Sequence, residues 1–166
     1  MNVAVQLEPA SDAPPAVAYR WDTDTDILTA RLEGVAASGG MSGSVELEGT
    51  DGSWLILEIA AGCINGVEVA VWPDVHKRPS LSPPSAIEDA QVRIPARASQ
   101  PGIASLEVDT ALMAEADNDE RVIHFRLGMR RDVRTVRVGR DLLLDVDSQS
   151  RVAGLWLLNV PPFPKS

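Results

Sequence analysis

The sequence predicts an all-β protein with little helix, and three observations support this prediction. Short apolar runs, several of them alternating with polar residues, recur along the chain, as is typical of strands that bury one face. Twelve glycines and twelve prolines separate these runs and supply turns between short elements. An acidic turn followed by an apolar run also occurs twice. We therefore expect mainly antiparallel strands in two similar β-meander repeats, packed as a pseudo-symmetric sandwich or barrel.

The repetition consists of blocks of matching sequence in the two halves of the chain. The matching pairs are 22–32 with 117–127, 55–59 with 142–146, and 66–69 with 154–157, at offsets of 95, 87 and 88. Internal repeats define an architecture before any single motif does. We expect a first β repeat over residues 1–75, a proline-rich linker over 76–91 and a second β repeat over 92–166, with the two copies sharing one core.

In the first repeat, each predicted strand is an apolar run bounded by turn signals. An Asp-rich turn at 22–26 joins two strands, and Asp51-Gly52 is the turn of a hairpin. Prolines make residues 8–16 a loop, and four glycines make residues 34–43 another. The strands predicted on this basis are 3–7, 18–21, 27–32, 44–48, 54–59 and 67–72.

The second repeat follows the same scheme with fewer glycines. Residues 105–115 suit either a strand or a short helix, and we favour the strand. One helical turn is expected within the linker, at 85–90. The prolines of residues 161–164 lack the amide donor that would extend a strand pairing. The strands predicted here are 92–94, 105–115, 122–127, 133–138, 142–146 and 152–160.

Charge is distributed unevenly along the chain, whose net charge is −9. Residues 1–75 carry twelve acidic and two basic side chains, whereas residues 76–166 carry twelve acidic and thirteen basic ones. An acidic half can dock on a basic segment within the molecule or across a homodimer, and uneven charge can also steer a charged partner. The overall acidity disfavours nucleic acid as a partner.

An arginine-rich segment is the main candidate for recognition. If residues 133–138 form a strand, its arginines reach both faces, which suits an edge strand. The guanidinium groups could then bind a partner's carboxylates or a phosphate. Aromatic residues, which stack on bases, make up only 4% of the chain, so self-association or a protein partner is favoured over RNA. The candidate partner- or anion-binding residues are Arg126, Arg130, Arg131, Arg134, Arg137 and Arg140.

Motifs that would carry catalysis or bind a cofactor are missing from the sequence. No nucleophile elbow, phosphate loop or dinucleotide-binding motif occurs. The turn at 22–26 and Glu33 have the spacing of calcium-loop ligands, but Ile27 stands where that loop needs glycine. The single cysteine, Cys63, excludes an internal disulfide, and His124 is interpreted as a sheet histidine. We expect no catalytic residues, no cofactor and no metal.

The sequence also predicts where the protein resides. It contains no apolar run long enough to span a bilayer. Residues 1–15 lack the basic and apolar regions of a secretory signal. We therefore expect a cytoplasmic protein without a membrane partner.

Two stretches of the chain together supply a pattern of aromatic-Asp and spaced leucines, followed by an acidic strand and a glycine-led run. The opening is formed by Trp21-Asp22, a second aspartate at Asp26, and Leu28 and Leu32, and the closing part is the run from Leu144 to Leu158. This pattern resembles a tandem duplication of the small bacterial domain of unknown function of family 2283. The resemblance implies a β-rich fold for each copy and no established activity, and by analogy a protein-binding role.

Departures from the family pattern fall in both repeats, and in the first Trp21 stands where the family usually has tyrosine. The first repeat keeps the usual glutamate of the glycine-led run at Glu68, whereas Trp156 takes its place in the second. Ala116 and Arg121 replace the aromatic and the second aspartate in the opening of the second repeat. The resemblance is therefore to short structural motifs.

These observations favour a non-catalytic protein-interaction or regulatory module that self-associates or binds a protein partner. The alternative is a small-molecule or anion-binding protein, or a weak enzyme, with a pocket between the two repeats. The candidate pocket residues are Trp21, Trp54, Trp72 and Trp156.

Overall fold

The computed structural model describes residues 3–10, 13–34, 42–94 and 103–164, which form strands and turns without a helix. The prediction of an all-β fold is therefore confirmed. No helix in this part of the chain is long and apolar enough to cross a membrane. The strands are β1 (Gln6–Pro9), β2 (Val17–Trp21), β3 (Leu28–Leu32), β4 (Ser42–Gly49), β5 (Trp54–Ala60), β6 (Cys63–Val71), β7 (Val75–Lys77), β8 (Ile87–Arg93), β9 (Ile103–Thr110), β10 (Leu112–Ala116), β11 (Ile123–Leu127), β12 (Val133–Gly139), β13 (Leu142–Asp147) and β14 (Val152–Leu157).

The described strands join one curled, mixed sheet. Its main path runs β7-β10-β11-β14-β13-β12-β8-β6-β5-β4-β9, while β1 pairs with β8, and β3 lies between β2 and β6. Three pairings are parallel: β7 with β10, β8 with β12, and β4 with β9. The antiparallel hairpin predicted around Asp51-Gly52 is confirmed as β4 and β5.

Two parts of the sheet have the same order of strands and the same register. β2-β3-β6-β5-β4 has the order of β10-β11-β14-β13-β12. Leu28 lies opposite Val69 as Ile123 lies opposite Leu157. Likewise, β3 places Arg31 opposite Gly66, and β11 places Arg126 opposite Gly154. The residue offsets in these pairings, 95 and 88, are those of the matching sequence blocks.

The core is one apolar cluster with contributions from both halves of the chain. Strand alternation directs one face of each strand inward, so Leu57 of β5, Phe125 of β11 and Leu155 of β14 are fully buried. Trp72 packs on Phe125 with a centroid separation of 5.8 Å. Tyr19 of β2 donates a 2.7 Å hydrogen bond to the Leu158 carbonyl, and burial raises the pKa of its hydroxyl.

Some predicted elements differ from the structure. β12 is an interior strand between β13 and β8, so its predicted edge position is wrong. The helical turn expected at 85–90 is also wrong, because β8 begins at Ile87 and continues beyond it. Residues 105–115 divide between β9 and β10, and the strand predicted at 152–160 ends at Leu157. Most of the glycine loop predicted at 34–43 lies outside the described residues.

Candidate functional site

The face of β11, β13 and β14 that points away from the core carries buried polar side chains. Because Phe125 enters the core, its neighbours His124 and Arg126 point to the opposite face. A cavity of about 290 Å³ lies on this face. We call it the arginine cavity; its lining residues are Arg78, Leu81, Pro84, Glu115, His124, Arg126, Met129, Arg130, Arg131, Val133, Thr135, Asp145, Ala153 and Trp156.

Asp145 organises one wall of the arginine cavity and is 5% exposed. Its Oδ2 lies 2.8 Å from His124 Nε2, and since a carboxylate accepts hydrogen bonds, this nitrogen is the donor. Its Oδ1 accepts hydrogen bonds from Thr135 Oγ1 at 2.8 Å and Trp156 Nε1 at 3.3 Å. The His124 and Trp156 rings stack with a centroid separation of 4.1 Å. The buried carboxylate is thus satisfied, and both rings are held in place.

Arg131 has a structural role at the edge of the arginine cavity. Its Nε donates to Asp147 Oδ2 at 2.9 Å, and its Nη1 donates to the carbonyls of Leu127 and Met129 at 2.7 and 2.8 Å. Arg151 Nε donates to the same Asp147 oxygen at 3.1 Å. Burial alone would raise the pKa of Asp147, but hydrogen bonds from Arg131, Arg151 and nearby backbone amides hold it below its ordinary value.

The other cavity arginines have fewer partners. Arg126 donates to the Gly128 carbonyl at 3.3 Å and to Met113 Sδ at 2.9 Å, and within the described ranges it has no ion pair. Arg130 is exposed and forms neither a hydrogen bond nor an ion pair with the part of the chain that the structure describes. Arg78 pairs with Glu115 at 3.1 Å. Two guanidinium groups, those of Arg126 and Arg130, therefore face the cavity without a carboxylate partner from the described ranges.

The charges of the lining leave the arginine cavity positive. Four arginines face two carboxylates, Glu115 and Asp145, so two positive charges remain even with His124 neutral. Counting the Asp147–Arg151 pair behind the lining leaves this excess unchanged. The whole chain, by contrast, has a net charge of −9.

The remaining three predicted arginines lie outside this cavity. Arg134 forms a two-bond pair with Glu88 of β8, at 3.0 and 3.1 Å. These hydrogen bonds lower the pKa of Glu88 and raise that of Arg134. Arg137 lies 3.9 Å from Asp89, and its guanidinium also donates to the Arg140 carbonyl. Their acidic partners come from β8, within the predicted linker.

The four predicted pocket tryptophans fall into three environments. Trp156 lines the arginine cavity, whereas Trp21 and Trp72 line a second cavity of about 230 Å³. Trp54 lines neither of these cavities, and its buried Nε1 has no hydrogen-bond partner in the described structure. The tryptophans therefore do not line one common pocket.

Sequence reasoning missed five polar residues of the arginine cavity: Arg78, Glu115, His124, Thr135 and Asp145. One signal was available for Asp145, because a carboxylate in the apolar run of residues 142–146 needs buried partners. His124 and Thr135 are on other strands, and only the strand register places them beside it. Arg78 and Glu115 meet through the parallel pairing of β7 with β10.

Comparisons with known proteins do not identify a relative. No protein-family model matches the chain, and no curated protein matches it in sequence. Across the described residues, no group of three or more histidine, cysteine, aspartate or glutamate side chains is arranged to hold a metal ion. The description of the site therefore rests on its geometry and charge.

Proposed function

We propose that this protein is a non-catalytic binding protein that takes up a small molecule bearing a carboxylate or phosphate in the arginine cavity. The observation that carries this proposal is the excess of two positive charges in the cavity of an acidic protein. Arg126 and Arg130 supply guanidinium groups that have no carboxylate partner among the described residues. A planar guanidinium binds carboxylate and phosphate oxygens through paired hydrogen bonds, so an oxyanion is the matching ligand.

The size and lining of the arginine cavity limit the ligand. A volume of about 290 Å³ is at the small end of ligand pockets, which favours a compact molecule. Leu81, Pro84 and Ala153 add apolar surface beside the charged groups. A compact oxyanion therefore fits beside the arginines, and the apolar surface leaves room for a short apolar or planar portion of a larger ligand.

We further propose that the chain consists of two repeats and that only the second has acquired this site. Support comes from the matching strand order and from left-handed residues in equivalent turns, Asp26 with Glu120 and Ala61 with Ser150. At positions equivalent to His124 and Trp156, the first repeat carries Thr29 and Glu68. The first repeat therefore has no stacked rings at these two positions and carries a carboxylate there instead.

Isothermal titration with inorganic phosphate and with citrate tests the proposed ligand class. Arg126→Gln and Arg130→Gln should each weaken binding about tenfold, or about 1.4 kcal/mol, because each removes one charged donor. Arg134→Gln is the matched control, since Arg134 lies outside the cavity and pairs with Glu88. Absence of binding by both anions, or an equal loss in the control, would contradict the proposal.

A protein partner is the second candidate function, and exposed apolar side chains favour it. Met129 is 85% exposed and Val133 is 42% exposed, and both line the arginine cavity. A partner could cover them while placing an acidic side chain in the cavity. Affinity capture should then recover a stoichiometric protein that is lost in Met129→Ser and Arg130→Gln but retained in Arg134→Gln. Recovery that is unchanged in the first two variants would exclude this surface.

A further inference from the structure

The second cavity is built from aromatic side chains contributed by distant parts of the chain. Trp21 from the end of β2 stacks on Trp72, which follows β6, with centroids 5.8 Å apart and planes at 19°. Phe163 meets Trp21 edge-on at 5.2 Å. We call this the aromatic cavity; its lining residues are Trp21, Trp72, Val75, Ala116, Asp119, Glu120, Ile123, Pro161, Pro162 and Phe163.

Hydrogen bonds fix both indole rings of the aromatic cavity. Trp21 Nε1 donates to the Pro161 carbonyl at 2.9 Å, and Trp72 Nε1 donates to the Asp26 carbonyl at 2.8 Å. These two donors are therefore occupied within the protein. Among the described lining residues, no other side chain is a nitrogen or hydroxyl donor. The cavity is consequently unsuited to an anion, unlike the arginine cavity.

Carboxylates give the aromatic cavity the opposite charge. Asp119 and Glu120 are in its lining, and Lys77 pairs with Glu120. Asp119 has no hydrogen-bond or ion-pair partner among the described residues, so one negative charge remains uncompensated. The carboxylates that line the cavity therefore come from the acidic turn that joins β10 to β11.

We propose that the aromatic cavity binds an alkylated ammonium group. Such a group carries a positive charge on an apolar surface, and aromatic rings attract it through cation–π interactions. Because its alkyl groups leave it weakly hydrated, little water has to be removed from it on binding. Asp119 supplies the complementary charge, and the fixed indoles avoid an ordering cost on binding. This site shares no lining residue with the arginine cavity, so it goes beyond the proposed anion-binding function.

Choline and its neutral isostere 3,3-dimethylbutan-1-ol provide the test, because they have nearly the same shape and differ in charge. In calorimetric titrations of the full chain, choline should bind at least tenfold more tightly than the alcohol. Asp119→Asn should weaken choline binding severalfold while leaving the alcohol unchanged. Asp132→Asn, which removes an exposed carboxylate outside the aromatic cavity, is the matched control and should change neither.

A second variant tests the contribution of ring contact to binding separately from that of the Asp119 charge. Phe163→Ala removes a ring that is 42% exposed, so the fold should persist while choline binding weakens.

Co-sedimentation with phosphatidylcholine vesicles distinguishes the source of the ammonium group: vesicle binding that is lost in Asp119→Asn assigns it to a lipid headgroup. Equal binding of choline and the alcohol, or no binding of choline in solution or on vesicles, would overturn the proposal.

Discussion

Asp145 and Asp147 lie two residues apart on β13, and each is buried with a different set of partners. Asp145 serves the arginine cavity through His124, Thr135 and Trp156. Asp147 Oδ1 accepts the backbone amides of Gln149 and Arg151 at 2.9 and 3.0 Å, which fixes the turn between β13 and β14. Buried carboxylates persist only when their oxygens are hydrogen-bonded, and these two satisfy that condition.

Asp147→Asn tests the structural role of this carboxylate. The substitution removes the ionic partner of two arginines, so we expect the free energy of unfolding near neutral pH to fall by about 3 kcal/mol. The folded-state pKa is lowered, so ionised Asp147 contributes its full stabilisation above the unfolded-state pKa, about 4. This contribution is lost as the pH falls through the lower folded-state pKa. Below about pH 4, the free energy of unfolding should therefore fall less steeply in the variant than in the wild type.

Urea denaturation across this pH range measures both effects. Glu88→Gln is the control, because the Glu88–Arg134 pair is exposed and solvent screens it, so its loss should change stability little. An Asp147→Asn variant as stable as the wild type would show that the ion pairs at this turn contribute nothing.

Gly66 and Gly154 occupy equivalent places beside an arginine on the neighbouring strand. A methyl group at Gly154 would lie 2.5 Å from the Phe125 carbonyl oxygen and 3.0 Å from Asp145 Oδ2. At Gly66 it would lie 2.8 Å from the Ala30 carbonyl oxygen. Both Gly→Ala variants should lose about 1 to 3 kcal/mol of stability. Only Gly154→Ala should also weaken phosphate binding, as measured by calorimetry, because it disturbs Asp145; equal binding losses in both variants would contradict this assignment.

At the scale of elements, local pattern predicts most strands but not their neighbours. Alternation in the run from Trp54 identifies β5, since its side chains alternate between buried and half-buried. The edge prediction for β12 failed because the partner strand β8 lies close to prolines that indicated a linker, and its parallel pairing is not encoded locally. Glu88 and Asp89 of β8 therefore pair with Arg134 and Arg137, which were expected to be available to a partner.

The candidate site divides in the same way. Three of the six predicted arginines, Arg126, Arg130 and Arg131, line the arginine cavity, because they lie on β11 or in the loop that follows it. Arg134 and Arg137 are on a strand that leads away from this loop. The His124–Asp145 contact joins residues 21 positions apart through β14, which lies between their strands. No local spacing rule predicts such a contact, because it depends on the register of three strands.

At the scale of the whole molecule, the two halves of the chain are joined by strand pairing and backbone hydrogen bonds. β9 pairs in parallel with β4, and the Val5 amide donates to the Ser150 carbonyl at 2.9 Å. Ile94 donates in turn to the Gly62 carbonyl at 2.7 Å. Elements that exchange contacts in this way share one core and are expected to unfold together.

Leu57→Ala and Leu144→Ala test this cooperativity at equivalent positions of β5 and β13. Each removes a buried side chain, so each should lower the free energy of unfolding by about 3 kcal/mol. In hydrogen exchange, either variant should lose amide protection equally in β5 and β13. In urea denaturation, each variant should unfold in a single transition. Two separate transitions, or a loss confined to the mutated half, would show that the halves fold independently.

The arginine cavity and the aromatic cavity are sites of opposite charge. The arginine cavity has two excess positive charges, whereas the aromatic cavity has carboxylates and two fixed indoles. Oppositely charged ligands should therefore bind at separate places on the same chain. The four tryptophans report on this separation, since Trp156 belongs to one cavity, Trp21 and Trp72 to the other, and Trp54 to neither.

The most direct test of the anion-binding function is a phosphate titration of ¹⁵N-labelled protein, followed through the indole N–H resonances of these tryptophans. We predict a saturable shift of the Trp156 resonance, whose N–H binds Asp145, with Trp54 and the two aromatic-cavity indoles unchanged. Arg130→Gln should reduce the affinity measured from that shift, whereas Arg134→Gln should not. A Trp156 resonance that does not move, or that moves only together with Trp54, would contradict anion binding in the arginine cavity.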